Sequence, residues 1–206
     1  MHYGVYVGRN FENQNKRILI LGESHHGKEE EKGKPAKYTS SDVVNKYMSA
    51  KRGVIKMERS WYFFTKIAHA FDASFNTQDI IGFWESVAFG NYVDVVCGVK
   101  DDYAKSYIYK EENRKKLNSD LFSFINSNKI DVIVCVSKLV FYALPNQSII
   151  NDNHRVMVSQ FISSETYENE LKLYKDLSVY SIPHPSGFGF KPITFNNVLK
   201  RLLDKT

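Results

Sequence analysis

The chain has 206 residues, of which 43% are hydrophobic, so we expect one well-buried core and a single domain over residues 1–206. Its formal net charge of +5 permits binding to a polyanion without requiring it. The two cysteines, Cys97 and Cys135, lie in or next to apolar runs, which argues against a disulfide framework and predicts buried thiols in a reducing compartment. Because no apolar run approaches membrane length and Met1–Gly8 lacks a secretory pattern, we expect a cytoplasmic protein without membrane contact.

Four short apolar runs predict β-strands, and they lie at Arg17–Leu21, Val87–Val96, Ile130–Val136 and Leu177–Ile182. In the third, the stretch Val132-Ile133-Val134-Cys135-Val136 is continuously apolar and β-branched, as is typical of a parallel strand buried on both faces. Between the strands, apolar residues recur at spacings of three and four, which predicts helices. Strands that alternate with helices favour βαβ units. We therefore expect an α/β fold, a three-layer α/β/α sandwich with a central four-stranded parallel sheet.

Polar residues stand where three of these strands end. Glu23, Ser24 and His25 follow the first strand, Asn91 lies within or near the end of the second, and His184-Pro185-Ser186 follows the fourth. In open parallel sheets, ligands bind beyond the carboxyl ends of the strands. The sequence therefore predicts that these residues meet at one edge of the sheet.

His184 is the strongest single candidate because it lies between two prolines. Proline fixes its own φ and restricts the residue before it, so the direction of the imidazole is nearly set by the backbone. Imidazole is a frequent acid, base or anion partner near neutral pH, which favours a functional role. The glycine-rich loop that follows carries two aromatic side chains without periodic partners, Phe188 and Phe190, and Lys191 is a candidate phosphate contact.

The other candidates leave alternatives open. Glu23 could orient water as a partly desolvated carboxylate, or could cap the next helix or pair with a basic residue. Asn91 could read a base edge with its donor and acceptor, or could satisfy a neighbouring loop. His25 could contact substrate or simply be exposed. His25 and His26 are adjacent, with no cysteine or carboxylate at ligand spacing beside them, so we expect no metal.

Two short motifs of this chain resemble those of the uracil-DNA glycosylase superfamily. Gly22-Glu23-Ser24-His25-His26-Gly27 resembles its first motif in the versions that begin Gly-Glu, and His184-Pro185-Ser186-Gly187 resembles its last. Phe89-Gly90-Asn91-Tyr92 falls where the family often places a stacking aromatic and a base-reading asparagine. The four-strand, helix-flanked layout spans nearly the whole chain.

This resemblance implies a monofunctional DNA glycosylase, without metal or cofactor, that acts as a monomer on a nucleotide flipped out of DNA. Glu23 would stabilise the sugar cation and orient water, and His184 would stabilise or protonate the departing base. Ser24, His25 and Ser186 would contact the substrate, together with Phe89, which would stack on the base, and Asn91, which would bind its edge. Phe188 or Phe190 would fill the vacated space in the duplex, next to Lys191.

Two departures from the family pattern leave the substrate open. His25 replaces the proline usual in the first motif, and Ser24 replaces the aspartate or asparagine that many members use to hold the water. The excised base could therefore be uracil or a modified or damaged pyrimidine, in DNA repair or in antiviral defence against foreign phage DNA. A catalytically inactive nucleic-acid-binding relative and a nucleoside or nucleotide hydrolase are the alternatives.

Overall fold

The structure is a computed structural model that describes residues 4–71, 76–98, 102–144, 147–153, 156–161, 177–187 and 190–203. Within these ranges, the strands are β1 (Tyr6–Val7), β2 (Ile18–Gly22), β3 (Ala88–Asn91), β4 (Val132–Cys135), β5 (Gln147–Asn153), β6 (Val156–Phe161) and β7 (Ser178–Ser181). The helices are α1 (Ser40–Lys51), α2 (Tyr62–Phe71), α3 (Thr77–Ser86), α4 (Asp102–Tyr109), α5 (Glu111–Asn128), α6 (Lys138–Ala143) and α7 (Ile193–Leu203).

The seven strands of the described residues form one mixed sheet in the order β1-β3-β2-β4-β7-β6-β5. The four central strands, β3, β2, β4 and β7, run parallel, with Ile20 of β2 opposite Phe89 on one side and Val134 on the other. Strand β1 pairs antiparallel with β3 at one edge, and β6 and β5 extend the other edge antiparallel. The α/β class is therefore confirmed.

The prediction of a four-stranded parallel sheet describes only the centre of the sheet, because antiparallel strands are added at both of its edges. The sequence does not signal them clearly. Strand β1 has only two residues, too few to show an alternation. Strand β5 reads QSIINDN, in which a single apolar pair is surrounded by polar residues. Strand β3 is also shorter than the predicted run Val87–Val96, since the chain leaves the ladder after Asn91 and returns only as bridges at Val95 and Val96.

Helices cover both faces of the sheet, which explains the continuous apolar runs. Every residue of β2 and of β4 is buried. Alternate strand residues face opposite sides. Leu19 and Ile133 pack against α4, α5 and α6 in one cluster, while Ile20 and Val134 pack against α1, α2, α3 and α7 in another. A strand buried on both faces has no polar position to alternate with, so its sequence is uniformly apolar.

The two cysteines are buried and are not in a disulfide, as predicted. At the end of the sheet opposite the carboxyl ends of the parallel strands, the buried carboxylate of Glu85 pairs with Arg9 at 2.8 Å and with Arg52 at 2.9 Å. These two contacts tie α3 to the segment after β1 and to the end of α1. In the described part of the chain, none of the helices combines the length and the apolar character needed to cross a membrane.

Candidate functional site

A cleft of about 940 Å³ opens at the edge of the sheet where β2, β3 and β7 end. Seven of the predicted site residues line it together, although they are spread over much of the chain. These are Glu23, Ser24, His25, Phe89, Asn91, His184 and Ser186. The structure thus brings the two sequence motifs and the strand between them into one cavity, and the roles assigned to the individual residues stay predictions.

Glu23 is held at the cleft by Ser137, which was not among the site residues predicted from the sequence. The hydroxyl of Ser137 donates a hydrogen bond of 2.5 Å to Glu23 Oε2. Ser137 follows β4, the neighbour of β2, two residues beyond the paired residues Leu21 and Cys135. The parallel register therefore places Ser137 beside Glu23, and its side chain is only 4% exposed.

Asn91 occupies space that exists because Gly22 has no side chain. The two residues are register partners at the ends of β3 and β2. A Cβ atom on Gly22 would overlap Asn91 Oδ1 and would lie 3.2 Å from the ring of Phe89. The amide of Asn91 therefore lies against the backbone of the neighbouring strand, half-buried at the wall of the cleft.

Phe89 forms the aromatic floor of the cleft more than an open stacking surface. Its side chain is only 3% exposed, and its ring meets Phe64 edge-to-face at 5.3 Å and Trp84 at 5.9 Å. Phe63 is the aromatic residue with more free surface, because it is half-buried and lines the same cleft. Its ring lies 6.2 Å from that of Phe89 and 5.3 Å from the imidazole of His184.

The orientation of His184 is fixed by its own loop and by α2. The backbone N–H of Ser186 donates to His184 Nδ1 at 3.2 Å, so the proton of the neutral imidazole is assigned to Nε2. The backbone N–H of Gly187 donates to the carbonyl of His184 at 2.8 Å and closes a turn. From α2, Lys66 Nζ donates to the carbonyl of Pro185 at 2.9 Å, one helical turn beyond Phe63.

The residues after Glu23 also line the cleft. Ser24 is 8% exposed, and its Oγ atom is buried without a hydrogen-bond partner among the described residues. Burial lowers the pKa of His25, the Asp94 carboxylate opposes this fall, and His26 adds to it. The lowered pKa favours the neutral form of the His25 imidazole, which can both donate and accept a hydrogen bond.

The helices α4 and α6 supply the second wall of the cleft. Lys105 and Tyr109 of α4, together with Leu139 of α6, line it from the face of the sheet opposite α2. Tyr109 is 63% exposed, and the Lys105 ammonium lies 5.8 Å from the centre of its ring. This pair was not predicted from the sequence, although its i, i+4 spacing on a helix was an available signal.

The loop after His184 differs in part from expectation. Phe190 is half-buried, and its ring stacks on Phe195 of α7 at 5.2 Å, so it packs against the helix layer instead of projecting freely. Lys191 is exposed, and neither residue lines the cleft. Phe188 lies outside the described residues. The role of a wedge in the duplex stays a prediction, and Phe190 would have to leave Phe195 to perform it.

Searches of known proteins add no family to this description. The sequence matches no model of a protein family, and no curated protein matches it at a significant level. Within the described ranges, no three histidine, cysteine, aspartate or glutamate side chains come together as a metal site would require. The arrangement that remains is a carboxylate, an amide and an oriented imidazole around an aromatic floor.

The contact between Gly22 and Asn91 predicts a sharp difference between two glycine-to-alanine variants. Gly22→Ala places a methyl group on Asn91 Oδ1, so we expect the free energy of unfolding to fall by about 1–3 kcal/mol. The side-chain amide signals of Asn91 should shift in NMR spectra. The control is Gly82→Ala in α3, where no atom lies within 4 Å of the new Cβ and alanine should stabilise the helix by up to about 1 kcal/mol. Equal stability of the two variants would contradict the close packing at Gly22.

Proposed function

We propose that the protein is a monofunctional DNA glycosylase that hydrolyses the N-glycosidic bond of a flipped-out uracil or modified pyrimidine and leaves an abasic site. The observation that carries this proposal is the convergence of Glu23, Asn91 and His184, from three strand ends, on one cleft. It is supported by the parallel order of β3, β2, β4 and β7, in which the strands that end in the two motifs enclose β4. We infer that it acts as a cytoplasmic monomer.

The proposed chemistry places a negative charge beside the sugar and a hydrogen-bond donor beside the base, where the reaction needs them. As the bond from the sugar C1′ to the base nitrogen breaks, positive charge develops on the sugar and negative charge on the base. The Glu23 carboxylate stabilises the first and orients the water, whose oxygen bonds to C1′. The Nε2–H of His184 donates to an oxygen of the departing base. One water proton ends on the base and the hydroxyl on the sugar, so the reaction is a hydrolysis without net redox change.

The size of the cleft bears on the identity of the base. At about 940 Å³ it lies at the upper end of the range of roughly 300–1,000 Å³ found for pockets of small molecules. In this proposal Asn91 reads the hydrogen-bonding edge of the base, and the aromatic rings of Phe63 and Phe89, which line the same cleft, contact the base. The volume leaves room for substituents on a pyrimidine, which supports a modified base, including one in foreign DNA, as a substrate beside uracil.

The residues that α4 contributes to the cleft favour a polynucleotide over a free nucleoside as the substrate. Tyr109 exposes a large aromatic surface at the cleft, next to the cation of Lys105. Many proteins bind single-stranded nucleic acid with exposed aromatic rings beside cationic side chains. The bases stack on the rings and the phosphates pair with the positive charges. We propose that a nucleotide neighbouring the flipped one lies against this pair.

The first test of the function is cleavage of a panel of DNAs that carry uracil and modified pyrimidines, read by alkaline scission at abasic sites. Glu23→Gln should lower the single-turnover rate by about 100- to 10,000-fold and leave DNA affinity unchanged, because it removes charge and keeps shape. Glu112→Gln, at an exposed position of α5, is the control and should retain the rate. Cleavage by Glu23→Gln at the normal rate would refute the role of this carboxylate.

His184→Ala should impair chemistry more than folding. Loss of one well-placed donor to developing negative charge typically costs about 100- to 1,000-fold in rate. The loss should grow for a base that leaves poorly, such as a cytosine derivative, and shrink for one that leaves easily. Melting temperature and single-turnover rates on both classes decide this. A large fall in melting temperature, with equal slowing of both substrates, would make His184 a structural residue.

Tyr109→Ala should weaken binding to single-stranded DNA, because stacking on an aromatic ring is worth about 1–3 kcal/mol per base. Tyr142→Ala is a closely matched control, since Tyr142 is also 63% exposed but does not line the cleft. Dissociation constants measured with the inactive Glu23→Gln protein separate binding from turnover. If the two tyrosine variants bind DNA equally well, the α4 wall does not hold the strand.

A further inference from the structure

The hydroxyl of Ser137 does not cap the helix that follows it. Ser137 occupies the position immediately before α6, where a serine side chain normally accepts a hydrogen bond from a backbone N–H of the first helical turn. In this structure it makes no such bond. The hydroxyl instead donates to Glu23 Oε2 at 2.5 Å, across the gap between the ends of β4 and β2.

We infer that Ser137 is a positioning residue that fixes the Glu23 carboxylate for the proposed hydrolysis. This inference rests on the proposed function. Ser137 does not line the cleft, so any influence on a substrate passes through Glu23. A serine that only ended a strand and began a helix would have its hydroxyl directed at the helix, which is why the bond to Glu23 indicates a role in the site.

The physical benefit is a narrower range of directions for the carboxylate of Glu23. A glutamate has three side-chain torsions, and a carboxylate that orients water must hold its plane within a narrow range during the reaction. A donor to one oxygen restricts that plane. A hydrogen bond to a charged acceptor is also stronger than one between neutral groups. Because Ser137 is buried, water does not readily replace its hydroxyl.

Three substitutions separate the hydrogen bond from the space that the side chain fills. Ser137→Ala removes the hydroxyl, Ser137→Cys keeps a similar size with a much weaker donor, and Ser137→Thr keeps the hydroxyl. We expect the alanine and cysteine variants to lower the single-turnover rate of base release by about 10- to 100-fold, with DNA affinity unchanged, and the threonine variant to retain most of the rate. Ser86→Ala is the control, because it removes a hydroxyl that donates to the carbonyl of Phe83 in α3.

The deciding measurement is a double-mutant cycle with Glu23→Gln. If Ser137 acts through the carboxylate, Ser137→Ala should slow the wild-type background by at least 10-fold and the Glu23→Gln background by less than twofold. Equal factors in both backgrounds, or a rate for Ser137→Ala within threefold of wild type, would overturn the inference while the glycosylase proposal stands. Failure of the wild-type protein to release any base from the panel would overturn both.

Discussion

The site depends on the parallel pairing of β2 with β3 on one side and β4 on the other. Parallel strands end at the same edge, so the residue after each strand is delivered to a common place whatever its distance along the chain. Glu23, Asn91 and Ser137 are neighbours for this reason. A slip of one residue in the register would turn every side chain of a strand to the opposite face, and burial of both faces of β2 and β4 makes that slip costly.

The central strands could be predicted because burial on two faces leaves an unmistakable pattern. The run Val132–Cys135 has no polar position, and the apolar stretch that contains it is bounded by Asp131 and Ser137. The edge strands could not, since an edge strand has solvent along one side and its sequence need not be apolar. The pairing of β6 with β7 is set by contacts far apart in sequence, which local periodicity does not report.

The motif residues of the cleft could be predicted because the central strands could be. Once an apolar strand is recognised, the polar residues that follow it are located at the end of that strand. Residues contributed by helices were not. A helical period identifies the buried face of α2 or α4, but it does not say which turn reaches the sheet edge. Phe63 and Tyr109 therefore look like ordinary aromatic residues in the sequence, and Ser137 looks like the start of a helix. The sequence also does not show that Phe190 packs against Phe195 of the next helix.

The helix α2 contacts both the core and the loop that begins at His184. Phe64 and Ile67 of α2 are buried in the core, while Lys66 holds the carbonyl of Pro185 and Phe63 contacts His184. α2 also packs against α7, the helix that follows the loop. Local opening of the loop must therefore break contacts of a core helix. We expect the amide protons of the loop to exchange with solvent as slowly as those of that helix. The glycine content of the loop is therefore a poor guide to how often the loop opens.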